Sequence, residues 1–466
     1  MRLLNISYPS FLPIIFLSSV LIGFPNRSLS ISHNFKIYKE VTRELIKIDT
    51  PVDNHIQGKI EKDFPLSWRS LYEKNNPLKS QLALQAYAEA NKRSSSKQII
   101  TPTYNALYDA VKSILGDEFN HFPGHENIGI SYLKRGDNGY FSLGNGGKLI
   151  FWEESKTLFR PQEIENRFIF FWRGEKMKII PSSIPNYQII DLATEGQKTI
   201  LYTGKGKFIQ IDSETDQYIE IINSELDFKR VKIFPSDDGW NIFSKNEWFQ
   251  LTVNSPDNIV WNKKQLNFHV GEIIESPAGF LILDAEGLYE LNTDTGESLK
   301  QSFVFKGMPN KIVMDNLFKT LAIGYISGDI SLFDLPNQRE SAFLRGHNAR
   351  ISALSFDNDH RLFSASFDKT VGIWDLRDLD AFPIKFYDQS SFITHLSLDE
   401  KTQRLVIGEI NGTIKYYDLN PEKLKHLLCQ SSIEPLSREA WSKYVGDERP
   451  YLPYQCEIDA LPQDLD

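Results

Sequence analysis

The clearest alternation of apolar and polar positions in this chain lies between Gly346 and Asp375. Residues 350–356 alternate apolar and polar side chains, and the turn-rich run DNDH follows them. Two further short apolar runs, RLFSAS and TVGIWD, are separated by the tight turn FDK. A period of two is typical of a strand with one buried face, and Asn, Asp and Gly are favoured in turns. The pattern therefore predicts three antiparallel strands within about thirty residues.

Six weaker copies of the same pattern lie on either side of this stretch. One such unit cannot bury both of its faces, so the units must form a ring, usually of ~4–8 blades. The third strands are spaced mostly by about 40 residues, which is a period typical of such blades. The sequence thus predicts an all-β fold, a seven-bladed β-propeller over residues 117–420. The third-strand positions are Trp152, Ile211, Leu251, Leu291, Phe333, Trp374 and Tyr417.

Two further expectations concern the ends of this ring. The gap between the first two copies is longer than the others, which predicts an insertion or an extended outer hairpin at residues 154–180. Propellers usually close with a strand from the opposite terminus, and the run FNHFPG at residues 119–124 has no other sheet to join. We therefore predict that this run is the outermost strand of the last blade, beside residues 413–418.

The stretch from Gly346 to Asp375 resembles the WD-repeat family, with Gly-His at its start and Trp-Asp at its end. A buried Trp donates only through its ring N–H, and Ser and His can relay that bond to a carboxylate. We interpret the polar residues of this relay as structural rather than catalytic. The resemblance implies a hydrogen-bonded chain formed by His347, Ser364, Asp368 and Trp374.

The first copy keeps part of the same relay, with His125, Ser142 and Trp152, but has Gly146 where the turn Asp is expected. The other five copies lack the signature. We expect that the relay was lost wherever apolar packing alone could hold the blade. An Asp at position 146 should then be tolerated or mildly stabilising, because it would restore the missing acceptor.

The sequence predicts a helical segment on each side of the propeller, at residues 67–116 and at residues 421–466. Asn76 is a predicted N-cap of one helix, with Pro77 as its first residue. The stripe from Tyr104 to Leu115 predicts a second helix that faces the propeller. In the tail, Ser437 is a predicted cap for the short helix REAWSKYVG. Both segments resemble those that surround the propeller in a group of bacterial WD-repeat proteins, and the tail of that group closes with a Cys.

Residues 1–30 predict an export signal. Residues 11–24 are apolar or small behind one Arg, and this run is shorter than the ~20 residues of a membrane-spanning helix. Ser28 and Ser30 form a small-x-small cleavage site. The alternative is an uncleaved membrane anchor through residues 11–24. Residues 31–66 read as a linker, and the protein is expected to be exported to the periplasm or cell envelope.

The only two cysteines are Cys429 and Cys456. Disulfides persist in exported proteins, and an even count fits one bridge. Such a bridge would hold the short helix against the propeller through Trp441 and Tyr444, as the resemblance to the bacterial tail also implies. The alternative is two unpaired thiols in a cytoplasmic or inward-facing protein.

Several classes of function are not supported by the sequence. It has no phosphate-binding loop and no nucleophile elbow, its nine His are scattered, and two Cys are too few for a zinc cluster. The net charge is −9, with 52 basic against 61 acidic residues and no long basic run, which argues against nucleic acid. We therefore expect no enzyme activity, no cofactor and no metal site.

The expected function is that of a protein-interaction scaffold or sensor of the bacterial cell envelope that binds a protein through a propeller face. The alternative is an exported enzyme or small-molecule binder that uses the central channel. Convergent acidic, His or Arg side chains at the starts of the inner strands would favour the alternative. The sequence instead has mostly apolar residues there: Ile128, Tyr187, Val231, Ile312, Ile351 and Ile393.

Overall fold

The computed structural model describes most of the chain after residue 65. The described residues are 66–93 and 101–456, apart from short breaks at 118, 126, 137–138, 146–148, 155–158, 164–167, 174–175, 182–188, 196–197, 204–206, 213–216, 223–230, 380–382, 402 and 432. Seven four-stranded antiparallel sheets follow one another through this part. The fold is a seven-bladed β-propeller, which confirms the predicted fold class.

Each blade has four strands, which we call a to d from the inner to the outer edge. Blades 1 and 2 contain β2 (Ile130–Gly136), β3 (Gly139–Gly144), β4 (Leu149–Glu154), β5 (Phe159–Glu163), and β8 (Ile189–Glu195), β9 (Lys198–Thr203), β10 (Lys207–Asp212), β11 (Gln217–Ile222). Blades 3 and 4 contain β12 (Lys232–Ser236), β13 (Gly239–Ser244), β14 (Glu247–Ser255), β15 (Asn258–Gln265), and β16 (Glu272–Ser276), β17 (Gly279–Asp284), β18 (Gly287–Asn292), β19 (Ser298–Lys300).

The remaining three blades complete the ring. Blades 5 and 6 contain β20 (Pro309–Met314), β21 (Thr320–Tyr325), β22 (Ile330–Asp334), β23 (Arg339–Leu344), and β24 (Ile351–Phe356), β25 (Arg361–Ser366), β26 (Val371–Asp375), β27 (Ile384–Phe386). Blade 7 contains β28 (Ile393–Asp399), β29 (Arg404–Glu409), β30 (Thr413–Asp418) and, as its outer strand, β1 (His121–Pro123). All seven predicted third-strand positions lie in c strands.

The two expectations about the ends of the ring are confirmed. An extra two-stranded hairpin, β6 (Phe168–Arg173) with β7 (Lys176–Pro181), lies between blades 1 and 2. Strand β1 pairs antiparallel with β30, so that His121 faces Lys415 and Pro123 faces Thr413. The Asn120 side chain reinforces this closure, because its amide donates to the Tyr416 carbonyl at 2.7 Å.

In the described part of the chain, five helices flank the propeller: α1 (Leu66–Tyr72), α2 (Asn76–Arg93), α3 (Thr101–Leu115), α4 (Pro421–Gln430) and α5 (Arg438–Tyr444). Helices α1 and α4 were not separated in the sequence. The predicted cap of α2 was wrong by one residue, because the Leu78 N–H bonds Asn75 Oδ1 at 3.0 Å while Asn76 already lies in the helix. Ser437 caps α5 as predicted, accepting from the Ala440 N–H.

Helix α3 packs on the outer parts of blades 6 and 7, and its buried aromatic residues form the contact. The Tyr108 ring lies 5.0 Å from that of Phe386 and 5.7 Å from that of Tyr417, centroid to centroid. The Tyr104 hydroxyl bonds the Asp418 carbonyl. Helix α4 joins the same apolar cluster through Leu424, Leu428 and Cys429. The expected helical lead-in therefore does face the propeller.

The expected position of the C-terminal helix was wrong. Trp441 and Tyr444 are buried, but they pack with Leu66, Leu82 and Ala86 of α1 and α2 rather than with a blade. The Tyr444 hydroxyl also donates to Glu73 Oε2 at 3.0 Å. The lead-in helices present a second apolar face away from the propeller, and α5 covers that face.

Candidate protein-interaction face

Blade 6 brings the four predicted relay residues together. The Trp374 ring N–H donates to Ser364 Oγ at 2.8 Å, and Ser364 Oγ lies 2.7 Å from His347 Nε2. The other ring nitrogen, Nδ1, lies 3.1 Å from Asp368 Oδ2. With the proton on Nδ1, every bond in this chain has a donor and an acceptor. The arrangement joins three strands and the b–c turn, and its contribution to stability stays a prediction.

The titration of His347 and Asp368 fits a neutral histidine beside a carboxylate. Burial lowers the pKa of His347, and the neighbouring Asp368 opposes that shift only in part. Burial would raise the pKa of Asp368, but hydrogen bonds from His347, Thr370 and the Asn348 N–H outweigh it and hold this pKa well below its usual range. A buried, satisfied pair of this kind has no free valence for a substrate, which supports the structural interpretation.

Blade 1 repeats the inner part of this relay. His125 Nε2 and the Trp152 ring nitrogen each lie 2.7 Å from Ser142 Oγ, and all three side chains are buried. Gly146 lies outside the described residues. The expectation that an Asp at this position would be tolerated therefore stays a prediction.

Blade 7 has a different polar network at the equivalent positions. Gln389 lies four residues before Ile393, as His347 lies four before Ile351, and Tyr417 occupies the position of Trp374. The Gln389 amide donates to the Tyr417 hydroxyl, which donates to Asp388 Oδ1 at 3.1 Å. Blade 7 therefore did not simply lose its relay to apolar packing, which corrects the expectation for this copy.

The network of blade 7 extends to the lead-in helix. The Tyr108 hydroxyl of α3 donates to Asp388 Oδ2 at 2.8 Å and accepts from Asn120 Nδ2 at 3.0 Å. The buried Lys415 ammonium donates to the backbone carbonyl of Asp388. Burial, together with the Tyr417 and Asp388 charges, raises the pKa of Tyr108 well above its usual value, so its hydroxyl stays a donor. Asp388 thus joins the last blade to a helix at the start of the domain.

One face of the propeller, which carries the b–c turns, repeats a single backbone contact in four blades. The first residue of each b–c turn donates its N–H to a carbonyl just before the a strand: Asn145 to Gly129, Ile326 to Met308, Phe367 to Arg350 and Ile410 to Phe392. This contact holds two side chains of each blade close together at the surface. We call this surface the b–c face.

Blades 5 to 7 and blade 1 place apolar side chains on the b–c face. Five of them are between 40% and 61% exposed, and Met308 is the most exposed. Such side chains are normal singly, but a contiguous group marks an interaction surface. The five residues are Ile128, Met308, Ile326, Phe392 and Ile410.

A cationic and aromatic stack lies at the middle of this group. The rings of Phe367 and Phe392 are nearly parallel, with centroids 5.2 Å apart, and join blade 6 to blade 7. The Arg350 guanidinium carbon lies 3.7 Å from the Phe367 centroid, and the Lys369 ammonium lies 5.8 Å from that of Phe392. These side chains were missed in the sequence. The signal was present as an apolar residue at the first position of the b–c turn, where polar residues are usual.

The apolar residues used to argue against a channel site do not bear on that question. Val231, Ile312, Ile351 and Ile393 are buried, while Ile128 is exposed on the b–c face. Tyr187 lies outside the described residues. The prediction that these apolar residues line the channel was therefore wrong, because the described ones lie in the core or on the b–c face. Among the described residues, no group of three or more His, Cys, Asp or Glu could hold a metal ion.

The two cysteines lie close together beside the lead-in helices. Their Cα atoms are 5.3 Å apart, within the ~7 Å that a bridge requires, and the structure joins their sulfurs. Cys456 ends the described chain, and the nearby Tyr454 N–H bonds Gln85 of α2 at 2.7 Å. The bridge would hold the tail against α2 and α4.

Within the described helices, none combines the length and apolarity needed to cross a membrane.

Comparison with known proteins supports the class that the fold and relay define. The family model described as WD domain, G-beta repeat, matches residues 338–375, which contain most of blade 6. Human nucleoporin Nup37 is 32% identical over 110 residues, covering 23% of this chain and 33% of that protein. The cilia- and flagella-associated protein 337 B of Tetrahymena thermophila is 26% identical over 149 residues, or 31% of this chain and 11% of that protein.

Two further similarities complete the comparison. Apoptotic protease-activating factor 1 of Danio rerio is 24% identical over 111 residues, or 23% of this chain and 9% of that protein. The computationally designed Ika8 protein has a TM-score of 0.49 at 15% identity, covering 64% of this chain and 98% of its own. The matched segments span a third or less of the three natural relatives. Together the family model and these relatives support a WD-repeat β-propeller, a class that typically binds proteins and is typically not catalytic.

Proposed function

We propose that this protein is a non-catalytic interaction scaffold or sensor of the cell envelope, and that it binds a protein partner through the b–c face of blades 5 to 7 and blade 1. The observation that carries the proposal is the Arg350–Phe367–Phe392–Lys369 stack with exposed apolar side chains on both sides. A net charge of −9 supports a protein partner rather than a nucleic acid.

The chemistry of the stack fits a binding hot spot. Aromatic and Arg side chains carry most of the affinity at protein interfaces when a rim of other contacts excludes water around them. Arg350 and Phe367 are already held in place by their mutual contact and by the Phe367 N–H bond to the Arg350 carbonyl. A pre-ordered pair of this kind loses little conformational entropy on binding.

The test is affinity capture with three matched proteins. The wild type, a Phe392→Ser/Arg350→Ser variant and a Leu317→Ser control are immobilised as full-length proteins. Leu317 is 66% exposed in the a–b turn of blade 5, on the opposite face. The proposal expects one partner that the wild type and the control retain and the stack variant loses by at least about tenfold, or ~1.4 kcal/mol. Equal retention by all three proteins contradicts the assigned face.

The envelope location rests on the N-terminal segment and the cysteines. Residues 11–24 and the small-x-small site at residues 28–30 support export, and the 5.3 Å separation of the Cα atoms of Cys429 and Cys456 is compatible with a bridge that an oxidising compartment would keep. Intact-mass measurement of the protein purified from its native cells, with and without reductant after alkylation, decides both points. A chain that starts at Met1 with two alkylated thiols contradicts the export proposal. A retained residue 1 with an intact bridge indicates the anchor instead.

A further inference from the structure

The innermost strands of the seven blades place one equivalent residue each in a single layer around the channel. Strand pairing defines this residue in the same way in every blade. In blade 3, Leu251 of the c strand pairs with Trp240 of the b strand; three positions later, Phe243 pairs with Lys232 of the a strand, which is the residue of the layer. In blade 7 the same spacing from Tyr417 leads to Gly408 and its a-strand partner His395. Five of the seven positions carry a charged or titratable group other than a phenol. The layer is Tyr132, Asp191, Lys232, Glu272, Lys311, Ala353 and His395.

Some of the charged side chains in this layer have partners and others do not. The Lys311 ammonium is paired with Glu272 of the neighbouring blade, and Asp191 accepts the Ile233 N–H at 2.9 Å. Lys232 is exposed and has no ion-pair partner among the described residues. Within the described residues, Lys232 is therefore a cation of the layer that no carboxylate pairs with.

The layer also contains a polar atom that the fold does not satisfy. His395 Nδ1 is buried without a hydrogen-bond partner in the described part of the chain. Ser352, next to Ala353 on the innermost strand of blade 6, has its buried Oγ in the same condition. More than about 90% of buried polar groups in proteins have a partner in the protein or in ordered water, so His395 Nδ1 is a group that a bound ligand would satisfy.

We propose that the channel layer binds a small oxyanion, a carboxylate or a phosphate, through the Lys232 and Lys311 ammonium groups and the His395 imidazole. Lys232 lies in blade 3 and His395 in blade 7, so their interaction crosses the channel. The site is separate from the b–c face and does not depend on the partner proposed there.

The electrostatics of His395 support an anion rather than a cation. Burial and the positive charges of Lys311 and Lys232 lower the pKa of His395 to about 4, so the imidazole is neutral at pH 7. The ammonium groups of Lys311 and Lys232 make the electrostatic potential at this ring positive. The other titratable groups of the layer are Tyr132, Asp191 and Glu272, and an anion beside the two lysines would offset their field.

The test is isothermal titration of the full-length protein with inorganic phosphate and, in a second arm, with succinate. The two arms distinguish a phosphate from a carboxylate ligand. The proposal expects saturable 1:1 binding of at least one anion. Lys232→Gln and His395→Gln should each weaken it at least about tenfold, which is ~1.4 kcal/mol. The control is Lys401→Gln, an exposed lysine beside the a–b turn of blade 7 with the same change in charge.

Two results would overturn the proposal. One is the absence of saturable binding of either anion to the wild type. The other is an equal loss of affinity in Lys401→Gln and Lys232→Gln, which would indicate a general effect of net charge. Because Lys232 is exposed, its substitution is expected to leave the thermal melt unchanged, and this melt is recorded for each variant.

Discussion

Blades 6 and 7 are neighbours with the same strand order, but they use the position before the a strand in different ways. In blade 6, the relay joins residues that lie within about thirty positions of one another, so it connects strands of the same blade. Its members are His347, Ser364, Asp368 and Trp374. In blade 7, Asp388 bonds Tyr417 of its own blade and Tyr108 of α3, 280 residues away. The comparison shows that loss of a sequence signature does not mean loss of a polar network.

The difference follows from what each blade must hold. Blade 6 has its own outer strand, β27, whereas blade 7 takes β1 from the start of the domain; α3 packs against both blades. A carboxylate placed between the blade and the helix satisfies donors from both, which an apolar contact cannot do. The network in blade 7 therefore stabilises the joint between the two ends of the chain.

Trp374→Ala is expected to have the largest effect. It removes a buried ring and leaves Ser364 Oγ without its donor, so the free energy of unfolding should fall by about 3–5 kcal/mol. Urea denaturation followed by circular dichroism measures the loss. Trp374→Phe keeps most of the volume and isolates the ring N–H bond. A loss below about 1 kcal/mol for Trp374→Ala would show that blade 6 does not depend on its relay.

Asp388→Ala tests the network of blade 7 and should cost about 2–4 kcal/mol. The change leaves the buried hydroxyls of Tyr108 and Tyr417 without an acceptor and removes the carboxylate near Lys415. Hydrogen exchange should then speed up in α3 as well as in β30. Asp237→Ala, an exposed acid in a turn of blade 3, serves as control and should stay within ~0.5 kcal/mol of the wild type. If hydrogen exchange in α3 were unchanged, the stability of this helix would not depend on the Asp388 network.

The pH dependence distinguishes the two histidines of these blades. The pKa of His395 in the folded protein is about 4, below the ordinary value of ~6.5, so protonation favours the unfolded chain. The stability that His395 contributes is fully present above about pH 6.5 and is lost as the pH falls towards 4, by about 3 kcal/mol. His395→Gln should flatten that part of the curve of unfolding free energy against pH. His347 shifts in the same direction, so an unchanged slope in His395→Gln would assign the effect to blade 6.

Tyr108→Phe should have the smallest effect, about 1 kcal/mol, because the ring stays and Asp388 keeps its bond from Tyr417. Thermal denaturation at one protein concentration measures it. Tyr72→Phe, in the exposed part of α1, is the matched control and should be silent. A loss as large as that of Asp388→Ala would mean that the helix contact alone accounts for the network.

The sequence predicted what depends on short spacings. The seven c strands were found because each anchor recurs after about 40 residues, and the relay of blade 6 was found because its four members lie within one repeat. Asp388 could not be found in this way, since its partner Tyr108 belongs to another element 280 residues away. Trp441 was correctly expected to be buried. Hydrophobic periodicity cannot show whether its partner is a blade or the lead-in helices, because that depends on tertiary packing.

The candidate surfaces were less accessible to sequence reasoning than the fold. The stack of Phe367 and Phe392 joins two blades through turns that carry no signature, and only the three-dimensional ring brings them together. The channel layer was missed because the a strands contain register shifts, as between Ile393 and His395, that move the channel-facing position by a residue.

The closure of the ring by β1 also determines when the domain can finish folding during its synthesis. Asn120 and Tyr416 meet across 296 residues, so this contact exists only after almost the whole chain has been made. At ~5–20 residues per second, the first blade leaves the ribosome roughly 15–60 seconds before its ring can close. Through that interval β1 has no β30 to pair with, and the early blades wait as an open arc. Long-range pairing of this kind slows folding, so the last strand to be synthesised decides when the domain becomes cooperative.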